Sequence, residues 1–138
     1  MRVFITVCIL FPFVALGQTK RSSEFSVIFT EFFKGDTVSL SINGKIVVKN
    51  VVVTSGTVGK AGLDVVQKSN GMSVYKGGVE SRLSRIQYRG TLNVLTSVNS
   101  KQVRYTFNPK KGKVLLIGYN SYGSHEIKLS QTDRALFF

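Results

Sequence analysis

The sequence predicts an all-β protein: an antiparallel β-sandwich, Ig-like or jelly-roll-like, of about eight or nine strands. Three observations predict it. Short segments alternate apolar and polar residues with a period of two. Turn-forming residues separate those segments at regular intervals, and an Asn-Gly pair stands between two β-branched runs.

The first element in the chain is an address. Met1-Arg2 precedes an apolar run that ends in Ala15-Leu16-Gly17, with small residues at the spacing a signal peptidase requires. Residues 1–17 therefore read as a secretory signal peptide. The run falls short of the roughly 20 residues that span a bilayer. Its one cysteine, Cys8, lies inside the run rather than at the cleavage point, so a lipid anchor is not expected. The expected product is secreted, periplasmic or displayed at the cell surface, with no transmembrane span. Residues 18–24 read as a flexible entry and residues 25–138 as one β-sandwich domain.

The strands then follow in order. Glu31, inside an apolar stretch, is expected on the solvent face of a strand, and Asp36, after Gly35, in a turn. Val38, Leu40 and Ile42 alternate with Thr37, Ser39 and Ser41; after Asn43-Gly44 comes a β-branched run from Lys45 to Val53. Asn-Gly accepts the positive φ angles of a type I′ turn, so a hairpin is predicted. The Gly-rich stretch 55–62 contains Gly59-Lys60 but lacks the spacing of a phosphate-cradling loop, and reads as a connection. Ser69-Asn70-Gly71 and Gly77-Gly78 mark further turns.

Residues 79–89 admit two readings. Val79, Leu83 and Ile86 recur at helical spacing beside an Arg82, Arg85, Arg89 stripe, between Gly78 and Gly90, which suits a short helix. In a strand-rich chain the favoured reading is a bulged edge strand whose charges discourage edge-to-edge pairing. Beyond it, Leu92, Val94, Thr96 and Val98 alternate with Asn93, Leu95 and Ser97. Val103, Tyr105 and Phe107 alternate with Arg104 and Thr106, after a turn at Asn99-Ser100. A connection through Pro109-Lys110-Lys111-Gly112 leads to Val114-Leu115-Leu116-Ile117, apolar on both faces as in a covered central strand. Ala135-Leu136-Phe137-Phe138 could add a last packed strand. Arg104, Lys113, Lys128 and Arg134 interrupt the faces an outer-membrane barrel would keep apolar, so a soluble domain is expected.

The residue inventory restricts the chemistry. Removal of residues 1–17 would leave 121 residues with no cysteine, which excludes disulfides, thiol catalysis and cysteine zinc sites. No Asn-x-Ser/Thr sequon occurs, which fits a bacterial envelope protein. The single histidine, His125, precedes Glu126, and strand neighbours point to opposite faces, so they cannot chelate one metal together. A surface or rim histidine is expected, with no metal site. The carboxylates Glu24, Glu31, Asp36, Asp64, Glu80, Glu126 and Asp133 form no recognisable catalytic motif. No catalytic residue, no cofactor and no enzyme activity are expected, with a small hydrolase left as the third reading.

Charge is the one feature that asks for a partner. Nineteen Lys and Arg against seven Asp and Glu give a net charge of +12, or +11 after removal of residues 1–17. A surplus of that size favours encounter with polyanions. Three basic groups stand out: Arg82, Arg85 and Arg89; Lys110, Lys111 and Lys113; and Lys45 and Lys49 with Lys101 and Arg104. The first two are the expected ligand-binding residues. Several tyrosines neighbour cations, a combination that supplies stacking together with charge. The chain has no Trp, so neutral glycan binding is disfavoured, and Tyr119 and Tyr122 are the candidate stacking platforms. The expected function is non-catalytic binding of an anionic polysaccharide, lipopolysaccharide or other polyanion. The alternative is a structural or protein-partner module of the cell envelope.

Overall fold

The computed structural model describes residues 24–56 and 59–134. The expected signal peptide, most of the 18–24 entry and the C-terminal Ala135-Leu136-Phe137-Phe138 lie outside the described residues. Ten strands occur: β1 (Phe25–Phe29), β2 (Lys34–Ile42), β3 (Lys45–Thr54), β4 (Leu63–Lys68), β5 (Gly71–Lys76), β6 (Val79–Leu83), β7 (Leu92–Val98), β8 (Lys101–Phe107), β9 (Val114–Tyr119) and β10 (Ile127–Thr132). They form two packed sheets, one of six strands in the order β10-β9-β1-β4-β5-β6 and one of four in the order β3-β2-β7-β8. Among the described residues no helix is long and apolar enough to cross a membrane.

In each sheet, odd-numbered strands run one way and even-numbered strands the other. Every pairing is antiparallel except β1 with β9, where Ser26 lies opposite Val114 and Phe29 opposite Ile117. Both are odd strands, so strict reversal at each connection makes them parallel once they become neighbours. The connections therefore divide between two ends. Those after β2, β4, β6 and β8 lie at one end, marked by Asn43-Gly44; those after the odd strands lie at the other, marked by Asn99-Ser100.

The alternating patterns place their apolar sides in the core. Val38, Leu40, Ile42, Leu92 and Val98 are fully buried, and Phe25, Val27, Phe29, Leu63, Val65, Leu115 and Ile117 meet them from the six-stranded sheet. At two-residue turns the backbone takes left-handed angles: φ 50° and 77° at Asn43 and Gly44, 55° and 82° at Gly77 and Gly78, 49° and 69° at Asn99 and Ser100. Paired positive angles match the right-handed twist of the flanking strands. β9 lies between β10 and β1 with Leu115, Ile117 and Tyr119 in the core; on its other face Val114 is buried and Leu116 half-buried.

Residues 79–89 form no helix. Val79 to Leu83 make edge strand β6, and residues 84–91 then cross in an irregular path to β7 in the other sheet. The helical spacing of apolar residues has no structural counterpart, because Val79 is 68% exposed while Ile86 alone enters the core at 5%. Gln67 fastens this crossing. It is a wholly buried residue on β4; its Oε1 accepts from the Ile86 N–H at 2.8 Å and its Nε2 donates to the Ile86 carbonyl at 3.0 Å. Tyr88 then packs edge-on against Phe25, ring centroids 5.9 Å apart, and Phe25 in turn against Phe107 at 5.8 Å.

The other crossing at this end, from β8 to β9, is fastened in the same manner. The Gln131 side chain on β10 donates to the carbonyls of Asn108 and of Gly112, the latter at 2.9 Å. Tyr105 donates its hydroxyl to Gln131 Oε1 at 3.3 Å. Gly112 passes so close to β10 that a Cβ there would stand 2.9 Å from the Thr132 backbone, so no larger residue fits without displacement.

Replacing Gln67 with Leu fills the space but leaves both Ile86 backbone groups buried without partners. Such groups cost about 1–3 kcal/mol each. Urea denaturation of Gln67→Leu is expected to show a loss of about 2–4 kcal/mol; a loss below about 0.5 kcal/mol, the ordinary scale of surface substitutions, would mean that the amide does not hold the crossing.

Candidate functional site

The separation of connections into two ends also separates charge. At the Asn43-Gly44 end, nine cations stand among the described residues, against the acids Glu24 and Asp133 and against Glu80, which pairs with Arg82. Lys45 opens β3, Lys68 closes β4 and Arg82 lies near the end of β6. Arg85 and Arg89 ride on the 84–91 crossing; Lys110, Lys111 and Lys113 ride on the β8–β9 crossing, and Arg134 follows β10. At the other end Lys34, Lys60, Lys76, Lys101 and Lys128 face Glu31, Asp36, Asp64 and Glu126. One end of the sandwich is strongly positive and the other is nearly balanced.

Local bonds set where these cations stand. Lys45 Nζ donates to the Ser84 carbonyl at 2.8 Å, and Arg85 Nη1 donates to the Ser69 carbonyl at 2.7 Å. The two contacts tie the β2–β3 turn, the β4–β5 turn and the 84–91 crossing together. Asn108 shapes the neighbouring crossing: its Oδ1 accepts from the Lys110 N–H at 3.0 Å and its carbonyl from the Lys111 N–H at 2.9 Å. Arg89, Lys110, Lys111, Lys113 and Arg134 remain exposed. Like charges held this close raise the local potential and attract a multivalent anion more than the same charges scattered would.

A cleft of about 300 Å³ opens beside this end, on the outer face of β4, β5 and β6. Lys68, Asn70, Ser73, Tyr75, Glu80 and Arg82 line it. The ladder brings them together, since Tyr75 lies opposite Glu80 and Ser73 opposite Arg82. Ser73 donates its hydroxyl to Glu80 Oε1 at 2.7 Å, and Arg82 Nε lies 3.5 Å from the same oxygen. The Ser73 hydrogen bond is the largest influence on the Glu80 carboxyl; desolvation opposes it, and Arg82, through its charge and hydrogen bond, and the charge of Lys68 add to it, so that the carboxyl is held below its ordinary 4.5.

Arg82, Arg85, Arg89, Lys110, Lys111 and Lys113, singled out from the sequence, all fall at the positive end. The third basic group does not hold together. Lys45 lies at that end, Lys101 at the opposite end, and Lys49 and Arg104 partway along β3 and β8. Tyr119 cannot act as a stacking platform. It is 3% exposed, stacked on Phe33 at 5.9 Å inside the core, because its position in β9 shares the inward face with Leu115 and Ile117. Tyr122 is 70% exposed, at the opposite end from the cations, with Lys34 Nζ 5.2 Å from its ring centre.

The carboxylates also depart from expectation. Asp36 is not in a turn but in β2, 5% exposed, accepting from the Lys34 N–H and from Asn99 Nδ2, each at 2.7 Å. Glu31 lies in the β1–β2 connection rather than on a strand. His125 is exposed with φ 53°, in the loop before β10, so the opposite-face rule for strand neighbours does not govern it and Glu126. Its carbonyl accepts from Lys101 Nζ at 3.1 Å.

Sequence reasoning passed over Lys45, Lys68 and Arg134 as members of the positive end, and Ser73, Tyr75 and Glu80 as a group. The signal for the first three was available, for Lys45 and Lys68 each flank a connection after an even-numbered strand and Arg134 follows even-numbered β10. No family model matches this chain, and neither the curated proteins nor the solved structures yield a significant match.

Because the folded Glu80 carboxyl titrates below its unfolded value, its contacts favour the folded protein above about pH 4.5 and are lost as pH falls through the lowered value. A side-chain NMR titration is expected to place Glu80 below 4.5, with Ser73→Ala moving it upward. An unmoved value in that variant would remove the hydroxyl as the main cause.

Proposed function

We propose that this chain is a non-catalytic binding module of an exported protein, whose positive end engages an anionic polymer or glycan of the cell envelope. The observation that carries the reading is the gathering of nine cations at one end of the sandwich against three acids, Glu24, Glu80 and Asp133, among the described residues. Net charge alone is a weak argument for a ligand; cations on crossings held in place by buried or short side-chain bonds are a stronger one. Arg82, Arg89, Lys110, Lys111 and Lys113 are the exposed contacts, with Arg82 also lining the cleft and Arg85 half-buried on the 84–91 crossing. Lipopolysaccharide and acidic polysaccharide both present the anionic groups this surface suits.

A protein partner is the second reading. It draws on Ile46 and Val52, 60% and 57% exposed on the edge strand β3, where an incoming strand could pair. Recovery of one specific protein at physiological salt would favour it.

Binding through the positive end releases counterions, so the logarithm of affinity is expected to fall linearly with the logarithm of salt concentration. Calorimetric titration with an acidic polysaccharide at several salt concentrations checks this. A flat dependence would overturn the proposal.

A further inference from the structure

We infer that the cleft between β4, β5 and β6 is a subsite for one acidic sugar unit of a polysaccharide. This rests on the anionic-polymer reading and narrows it from polyanions in general to acidic polysaccharides. A site built for charge alone would have no carboxylate in its lining. Here Glu80 stands at the Tyr75 step of the ladder, next to Arg82 at the Ser73 step and with Lys68 beyond it, oriented by Ser73 through Oε1 and kept ionised by the same contacts. A fixed carboxylate repels any anionic group, the acidic substituent included, but accepts from the sugar hydroxyls that polyphosphate lacks, and Oε2 takes no part in either of these contacts.

The other lining residues suit the same ligand. Tyr75, half-buried and directly across the ladder from Glu80, supplies aromatic surface against which the C–H face of a pyranose ring can lie. Asn70 offers both a donor and an acceptor to ring hydroxyls. Arg82, with its side chain 84% exposed, and exposed Lys68 stand ready for the anionic substituent. Arginine matches a carboxylate or sulfate through two parallel hydrogen bonds. The volume of about 300 Å³ lies at the small end of ligand-sized clefts, the scale of one or two sugar rings rather than a whole chain. The remainder of the polymer would continue across the positive end.

Glu80→Gln makes the test, because it raises the positive charge while replacing the charged acceptor by a weaker neutral amide oxygen. The exported protein is titrated at fixed ionic strength with a six-unit oligogalacturonate and, separately, with inorganic polyphosphate. The variant is expected to weaken oligogalacturonate binding about five- to tenfold, the scale of one lost charge-assisted hydrogen bond. Polyphosphate binding is expected to hold or tighten. Tyr75→Leu is expected to weaken the sugar ligand and leave polyphosphate unchanged. If Glu80→Gln leaves oligogalacturonate binding unchanged or tighter, or if only polyphosphate binds the unaltered protein, the sugar subsite is overturned while the positive end stands. If neither probe binds the unaltered protein, both the end and the subsite are overturned.

Discussion

Two side-chain amides determine how this sandwich is closed and what it presents. Gln67 and Gln131 each reach the backbone of a segment that crosses from one sheet to the other, and both crossings carry cations. The end of a sandwich is where core residues would otherwise meet water and where backbone groups leave the ladder without partners. Gln67 meets both needs at once: it satisfies the N–H and the carbonyl of Ile86, and so seats Ile86 and Tyr88 over the core. With the backbone fixed, Arg85 and Arg89 leave the chain at set points, and Arg85 is tied to the Ser69 carbonyl next to Lys68. The electrostatic character of this end thus follows from uncharged hydrogen bonds beneath it, buried at Gln67 and partly buried at Gln131.

The opposite end is organised by charge of the other sign. Asp36 is buried and receives donors from Lys34 and Asn99, joining the start of β2 to the β7–β8 turn. Asn99 Oδ1 accepts in return from the Thr37 N–H at 3.0 Å. An acid spent inside a network of this kind does not neutralise surface cations elsewhere. The polarity of the molecule therefore comes from two sources, cations concentrated at one end and carboxylates placed near the other.

Much of the fold was legible in the sequence because its signals are local. Alternation in residues 37–42 and 92–98 reports the buried face directly, and Asn43-Gly44 has few conformations other than the turn it makes. The edge strand favoured for the start of residues 79–89 is present as β6, and the rival helical spacing of Val79, Leu83 and Ile86 has no counterpart because an edge strand and a crossing divide those three residues. The parallel pairing of β1 with β9 depends on which strands become neighbours, and that is decided by packing across the whole chain. Tyr119 looked exposed beside Asn120 and Ser121 because burial in β9 is set by register with Leu115 and Ile117, which the flanking polar residues conceal. The positive end was half legible: the cations were visible as clusters, but joining them required the parity of the connections. Glu80, Ser73 and Tyr75 carry no motif and meet only through cross-strand register.

The position of the cations, rather than their number, is what should govern binding. The most direct measurement compares two quadruple variants of equal net charge against one acidic polysaccharide. In the first, Arg89, Lys110, Lys111 and Lys113 become Gln; in the second, Lys49, Lys76, Arg104 and Lys128 do. All eight residues are exposed, so neither variant removes a core contact. The first is expected to lose about tenfold or more in affinity, equivalent to about 1.4 kcal/mol or more, and the second to lose far less. Equal losses would mean that the chain attracts anions by overall charge alone and that its positive end is not a binding surface.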